Sequence, residues 1–182
     1  MWVMKMTIGT FFLAVFFGFI SQMLLKSIDA FVLSLLLLLV IVFTGIVSDT
    51  VGTAAAAGEE APLNAKATRK IFGAQKGVYL VRHADQVANF CNDVIGDITG
   101  ILSGAVGTVL VLQLIVYAPD YTELYFQILM TAAVTSITVG GKAWGKFLAL
   151  NRSTEIMLLA GRVLSLKDVV WEQLSRKKSN NK

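Results

Sequence analysis

The chain has 182 residues, 55% of them hydrophobic and 15% charged, with a mean hydropathy of +0.69. One soluble domain of this length cannot bury so much apolar surface, so the composition points to a polytopic membrane protein. The net charge of +4 is not a nucleic-acid signature, because the basic residues stand between and after the apolar runs, where membrane topology places them. A single cysteine, Cys91, excludes an intrachain disulfide and any Cys/His metal framework, and a single histidine, His83, excludes a multi-histidine site. The two prolines, Pro62 and Pro119, fall in connections and leave the spans free of proline kinks.

The first apolar stretch covers about 7–25, TIGTFFLAVFFGFISQMLL, between Lys5 and Lys26. It is long enough to span a bilayer and has no small-residue cleavage site after it, so it reads as a helix and not as a removed leader. A short connection at Ser27-Ile28-Asp29 turns the chain back. The second span, about 31–57, is apolar all round in FVLSLLLLLVIVF and small and polar in TGIVSDTVGTAAAAG. Asp49 is the one charge within it, with Thr44, Ser48, Thr50 and Thr53 supplying hydroxyls nearby. Hydroxyls in a helix often bond back to their own carbonyls. A carboxylate at that depth requires a partner.

Residues 59–85 form a polar, basic connection. Glu59, Glu60 and Pro62 mark a helix start. Residues 63–72 then read as a short amphipathic helix, and Gly73 and Gly77 divide it from a second piece at 78–82. Lys66, Arg69, Lys70, Lys76 and Arg82 give interfacial helices over about 63–83 a face for anionic lipid headgroups. The same charges equally suit a plain cytoplasmic loop. His83 is expected at this interface, capping a helix or solvated.

The third span, about 87–117, opens with Asn89, Asn92 and Asp93, becomes glycine-rich and ends as TVLVLQLIVY. Asp93 and Asp97 are four apart and share a helix face. Gly96, Gly100 and Gly104 repeat at the same spacing, a pattern that lets another helix come close. Each carboxylate at membrane depth costs roughly 2.5–3.5 kcal/mol on insertion scales, so it faces a cavity, an ion or a basic partner. A turn at Ala118-Pro119-Asp120-Tyr121 leads to the fourth span, about 122–138. Gly140-Gly141-Lys142 follows, and Lys142 and Lys146 share one face. Asn151-Arg152-Ser153 reads as a break before an interfacial helix at about 153–166, and 167–182 is a basic tail.

The expected architecture is an all-α integral membrane domain over 1–166, with four transmembrane helices and short amphipathic juxtamembrane helices. The basic residues fall on one side: Lys5, the 59–85 connection and everything from Lys142 onward. The other side holds Lys26 against Asp29, Asp120 and Glu123. Both termini are therefore expected in the cytoplasm, with the protein in the cell membrane.

The polar groups of the spans suggest a site between spans two, three and four. Asp49, Thr50, Asn92, Asp93 and Asp97 offer oxygen donors only, which suit a hard cation such as Mg2+ and not zinc or copper. Lys142, beside Gly140 and Gly141, would act as gate or counter-charge. The alternative is a structural network in which Lys142 neutralises Asp93 or Asp97, making the protein a non-transporting scaffold or partner subunit. A proton-coupled carrier of a small solute is a third reading. There is no nucleophile–base pair, phosphate-binding glycine loop or metalloenzyme motif, and the Arg82-His83 pair lacks the glycine of a phosphatase start. Neither an enzyme nor an organic cofactor is expected.

From about 43 to 166 the order of a hydroxyl-bearing small-residue helix, a basic connection, a helix with spaced amides and a glycine-lysine exit resembles the transmembrane domain of the CorB/CorC and cyclin-M (CNNM) magnesium transporters. The resemblance implies a Mg2+ site near the middle of the bundle and a homodimer. It matches the family's first-helix ligand region to Ser48-Asp49-Thr50-Val51-Gly52-Thr53-Ala54, and its Gly-Asn…Asn pattern to Asn92-Asp93…Asp97, with aspartates in place of amides. The family's Gly-Glu-x-x-Pro-Lys matches Gly141-Lys142-Ala143-Trp144-Gly145-Lys146. Lys142 stands where the family has its glutamate, and Gly145 where it has proline. With 167–182 alone following, no nucleotide-binding CBS pair is expected.

Overall fold

The computed structural model describes residues 2–26, 31–115 and 123–179. The turns expected at Ser27-Ile28-Asp29 and at 118–121 and the last residues of the tail lie outside the described residues. Among the described residues the chain is helical throughout, without strands: α1 (Trp2–Lys26), α2 (Phe31–Ala56), α3 (Glu60–Thr68), α4 (Ala74–Arg82), α5 (Ala84–Ala88), a π-helical segment (Asn89–Ile95), α6 (Gly96–Ile115), α7 (Glu123–Asn151) and α8 (Ser153–Ser179). Four stretches, Met6–Met23, Phe31–Ala56, Ala84–Ile115 and Leu124–Asn151, are long and apolar enough to cross a membrane. They correspond to the four apolar runs of the sequence.

Three features differ from the sequence reading. The third span is not one regular helix, since the polar segment Asn89–Ile95 takes the wider π turn. α7 runs through Gly140-Gly141 as far as Asn151. Glycine inside a helix costs about 1 kcal/mol relative to alanine, and here Gly141 admits the Ile46 side chain of α2 where a Cβ would collide with it. α8 continues through the basic tail to Ser179. That stretch has neither glycine nor proline, and its basic residues at the end suit the negative pole of a helix.

The chain divides into two compact units. Unit one comprises Met1–Ser48 and Asn92–Trp144. Its core is Leu38 and Val42 of α2 with Val106 and Leu110 of α6, flanked by Ile46 of α2 and by Met130 and Val134 of α7. Gly45 lies so close to α6 that a Cβ there would stand 2.5 Å from Thr99 Oγ1. α1 packs on α6. Its phenylalanines Phe11, Phe12, Phe16 and Phe19 point outward.

Unit two comprises Asp49–Cys91 and Gly145–Lys182. Leu63 of α3, Ala74, Val78 and Val81 of α4, and Met157 and Leu158 of α8 form its core with Ala54, Ala55 and Ala149. α3 carries Pro62 in its first turn, where the missing N–H has no intrahelical partner to lose. It ends in a Schellman turn: Ile71 N–H donates to Lys66 O (3.1 Å) and Lys70 N–H to Ala67 O (2.9 Å). The turn's left-handed position, φ 56°, is filled by Lys70 where glycine is usual.

Gly73, read from sequence as a divider, stands between α3 and α4 as the N-cap of α4, whereas Gly77 lies inside α4, and both also make a helix contact. Gly73 has φ 86°, and a Cβ on it would stand 2.5 Å from the backbone N of Arg162 in α8. A Cβ on Gly77 would stand 3.1 Å from Met157 O. Gly161 of α8 sits against the backbone of Gly73 and Gly77 in return. The α3–α4 pair is clipped by Arg82 Nε donating to Glu60 Oε2 at 2.9 Å. Both side chains are about half exposed, so the pair contributes at most about 1 kcal/mol. His83 closes α4: its Nδ1 lies 2.9 Å from Tyr79 O. A carbonyl only accepts, so that nitrogen carries the proton.

Candidate functional site

Asp49 lies in the small, polar half of α2, where the side chains are short and the neighbouring backbone comes close. It is 4% exposed, and its Oδ2 has no hydrogen-bond partner. The nearest opposite charge is Lys146 of α7, whose Nζ stands 3.7 Å from Oδ2. That is longer than the roughly 2.7–2.9 Å of a hydrogen-bonded charge pair. The carboxylate thus feels the ammonium's field without receiving a hydrogen bond from it. The Lys146 side chain is 53% exposed, so one member of the pair is buried and the other is half in the surroundings.

Sequence reasoning named Lys142 as the counter-charge and missed Lys146. Lys142 is half-buried, and among the described residues it has no carboxylate within ion-pair range. Asp49 and Lys146 belong to unit two, whereas Lys142 belongs to unit one. The shared face of the two lysines was the available signal, but composition gives no register.

Other expected donors are placed as follows. Thr50 is half-buried. The Thr44 hydroxyl is committed to Val40 O at 2.7 Å. Asn92, in the π segment, is half-buried, and its amide Oδ1 is buried without a hydrogen-bond partner. Asp93 and Asp97 are exposed and form no ion pair with Lys142 among the described residues. Gly140 faces open space, and Gly141 is covered by Ile46. Among the described residues no group of three or more His, Cys, Asp and Glu side chains is arranged to hold a metal ion.

The glycine repeat of the third span also behaves differently from expectation. A Cβ on Gly100 or Gly104 would meet nothing within 4 Å. These glycines line a groove of about 230 Å3 between α6 and α7, together with Ser103, Thr131, Thr135 and Thr138. The Ser103 hydroxyl bonds to Gly100 O at 2.8 Å and that of Thr138 to Val134 O at 2.7 Å, so both are satisfied within their own helices.

The chain is thus an all-helical protein with four potential membrane spans and a buried carboxylate held near a half-exposed ammonium. A scan against protein-family models finds no match, and searches of curated proteins and of solved structures likewise return none.

Proposed function

We propose that the chain is a multi-pass membrane protein that carries a small hard divalent cation, Mg2+ foremost, across the bilayer. In this reading Asp49 meets the ion and Lys146 neutralises Asp49 when the ion leaves. The membrane assignment is supported by the four apolar helices and by the outward apolar side chains, among them Phe12, Phe19, Val32 and Phe43. The basic residues of 59–85 and of the segment after Lys142 support a cytoplasmic side for both termini in this reading. The resemblance to the CorB/CorC and cyclin-M transporters agrees with the choice of ion.

The observation that carries the reading is the buried Oδ2 of Asp49, without a hydrogen bond and 3.7 Å from Lys146 Nζ. Such an oxygen gains from a cation that makes direct contact. Lys146 can swing its ammonium outward at little cost, because half of its side chain is already exposed. Mg2+ fits a site with few protein ligands, since it keeps several waters and is commonly held through one or two carboxylates.

Thermal unfolding of the detergent-purified chain in rising Mg2+, with Ca2+ and Na+ as controls, tests this. A ligand that binds only the folded state stabilises it by about 2.7 kcal/mol at a hundredfold excess over Kd. A saturable, Mg2+-selective rise in Tm is expected, absent in Asp49→Asn. The same pair favours a second reading, a permanent Asp49–Lys146 contact in a non-transporting scaffold. That reading predicts no shift with any divalent ion.

A further inference from the structure

We infer that α8 joins two copies of this chain through a short parallel coiled coil, with Leu159, Val163 and Leu166 at its seam. Met157, Leu158 and Gly161 form the buried side of α8, against α4. On the other side Leu159, Val163 and Leu166 are 56%, 67% and 54% exposed. Their spacing of four and then three residues is that of the d, a and d positions of a heptad. The register extends both ways: Ile156 takes the a position before them and Val170 the one after, and α8 runs unbroken from Ser153 to Ser179. β-Branched residues thus stand at a (Ile156, Val163, Val170) and leucine at d (Leu159, Leu166), the combination that favours two parallel strands. The inference goes beyond the cation reading and takes from it only the membrane, which gives both copies the same orientation about a twofold axis.

Area and charge select a second copy over a lipid surface. Burying a Leu, Val or Ile side chain removes roughly 60–120 Å2 from water. Five seam residues from each copy therefore bury about 600–1,200 Å2 in all, which reaches the low end of stable interfaces. Two copies held in one membrane meet at high effective concentration, so a short seam suffices. The stripe is also narrow, as a seam is. Glu155 and Arg162 border it at g and Ala160 at e, whereas a helix lying on lipid carries a wide apolar face rimmed by Lys and Arg. Leu164, outside the register, is the least exposed large apolar side chain of this set at 40%. The stem of Arg162 is turned to α4, since a Cβ on Gly73 would stand 2.6 Å from its Cγ. Arg162 and Lys167 fall at g and e, where two parallel copies bring like charges together. Added salt should therefore strengthen the pair, whereas it weakens attachment of a basic face to anionic lipid.

The test uses the full chain in vesicles, with Cys91→Ser to remove its one native thiol. Leu166→Cys on this background is expected to form a disulfide-linked dimer on oxidation, because like d positions face each other in a parallel pair. Leu164→Cys should not. A second measurement keeps the native thiol: sedimentation in detergent is expected to give a dimer that holds or tightens with added salt. Leu159→Lys with Leu166→Lys should raise its Kd by at least about 30-fold, the loss of one hot spot. Both positions are exposed in the single copy, so the double variant should melt like the dissociated wild type. A dimer that survives the double change overturns the seam. So does a monomer at every concentration, a dimer that salt dissociates, or oxidation at 164 equal to that at 166. A Leu166→Cys thiol shielded from an aqueous maleimide in vesicles holding one copy assigns the face to lipid and also overturns it. Carbonate washing reports insertion separately: released protein that still forms the dimer contradicts the membrane reading and leaves the seam standing.

Discussion

Lys146→Gln is expected to cost more stability than Asp49→Asn, although both remove the same ion pair. The asymmetry follows from burial. Asp49 is 4% exposed, whereas the Lys146 side chain is 53% exposed. Glutamine at 146 leaves a buried carboxylate without its ammonium, and stranding a buried polar group costs about 1–3 kcal/mol. Losing a partner from a fully buried pair costs about 3–5 kcal/mol. The half-exposed lysine and the 3.7 Å separation hold the present case below that range. Asparagine at 49 removes the charge that needed compensation and lets Lys146 turn outward, leaving a buried neutral amide whose cost sits at the lower end of that range of about 1–3 kcal/mol. Denaturant unfolding in detergent checks the order. The combined variant should fall near Asp49→Asn alone. The reverse order would mean that Asp49 does not depend on Lys146. Mg2+ should also recover stability in Lys146→Gln, because the ion takes over the role of the missing ammonium.

Gly161→Ala is expected to damage unit two more than any other single-methyl change in α8. A Cβ at 161 falls on the carbonyl oxygen of Gly73 and stands 2.7 Å from the N of Gly77. These are backbone atoms of α4 and its N-cap, so no side chain can rotate out of the way and the two helices must separate. Overpacking of this kind costs about 1–3 kcal/mol, and the rigid neighbours put it at the upper end. Separation would also loosen Met157 and Leu63, both fully buried. Gly104→Ala is the matched control. Its Cβ meets nothing within 4 Å, and alanine is the better helix former by about 1 kcal/mol, so that change should be neutral or stabilising. Melting both variants side by side decides the matter. A tolerated Gly161→Ala would contradict the close α4–α8 contact.

The positions of the four long helices were legible because an apolar run of sufficient length has few other uses. The break at Arg152 was also legible, from Asn151 and Ser153 beside it. What escaped the sequence was everything set by register. Hydropathy treats Lys142 and Lys146 alike, and it is Lys146 that stands beside Asp49 in the folded chain. The π segment escaped for a related reason. Over the seven residues Asn89–Ile95, a period of 3.6 and a slightly longer one place apolar side chains almost identically. Glycines were the least readable residues. Gly73, Gly77 and Gly161 make a tight contact, whereas Gly100 and Gly104 line an open groove. The small-xxx-small spacing is the same in both places, and the partner is not written in it.

Uptake of Mg2+ into proteoliposomes, read by an enclosed Mg2+-sensitive dye, tests the central claim most directly. Wild-type protein is expected to give saturable uptake above protein-free vesicles, with Asp49→Asn reduced to the vesicle background. Uptake by wild type no faster than by empty vesicles, under conditions where the protein is shown to be inserted, would contradict a cation-carrying role for Asp49 and leave the permanent ion pair as the function of that site.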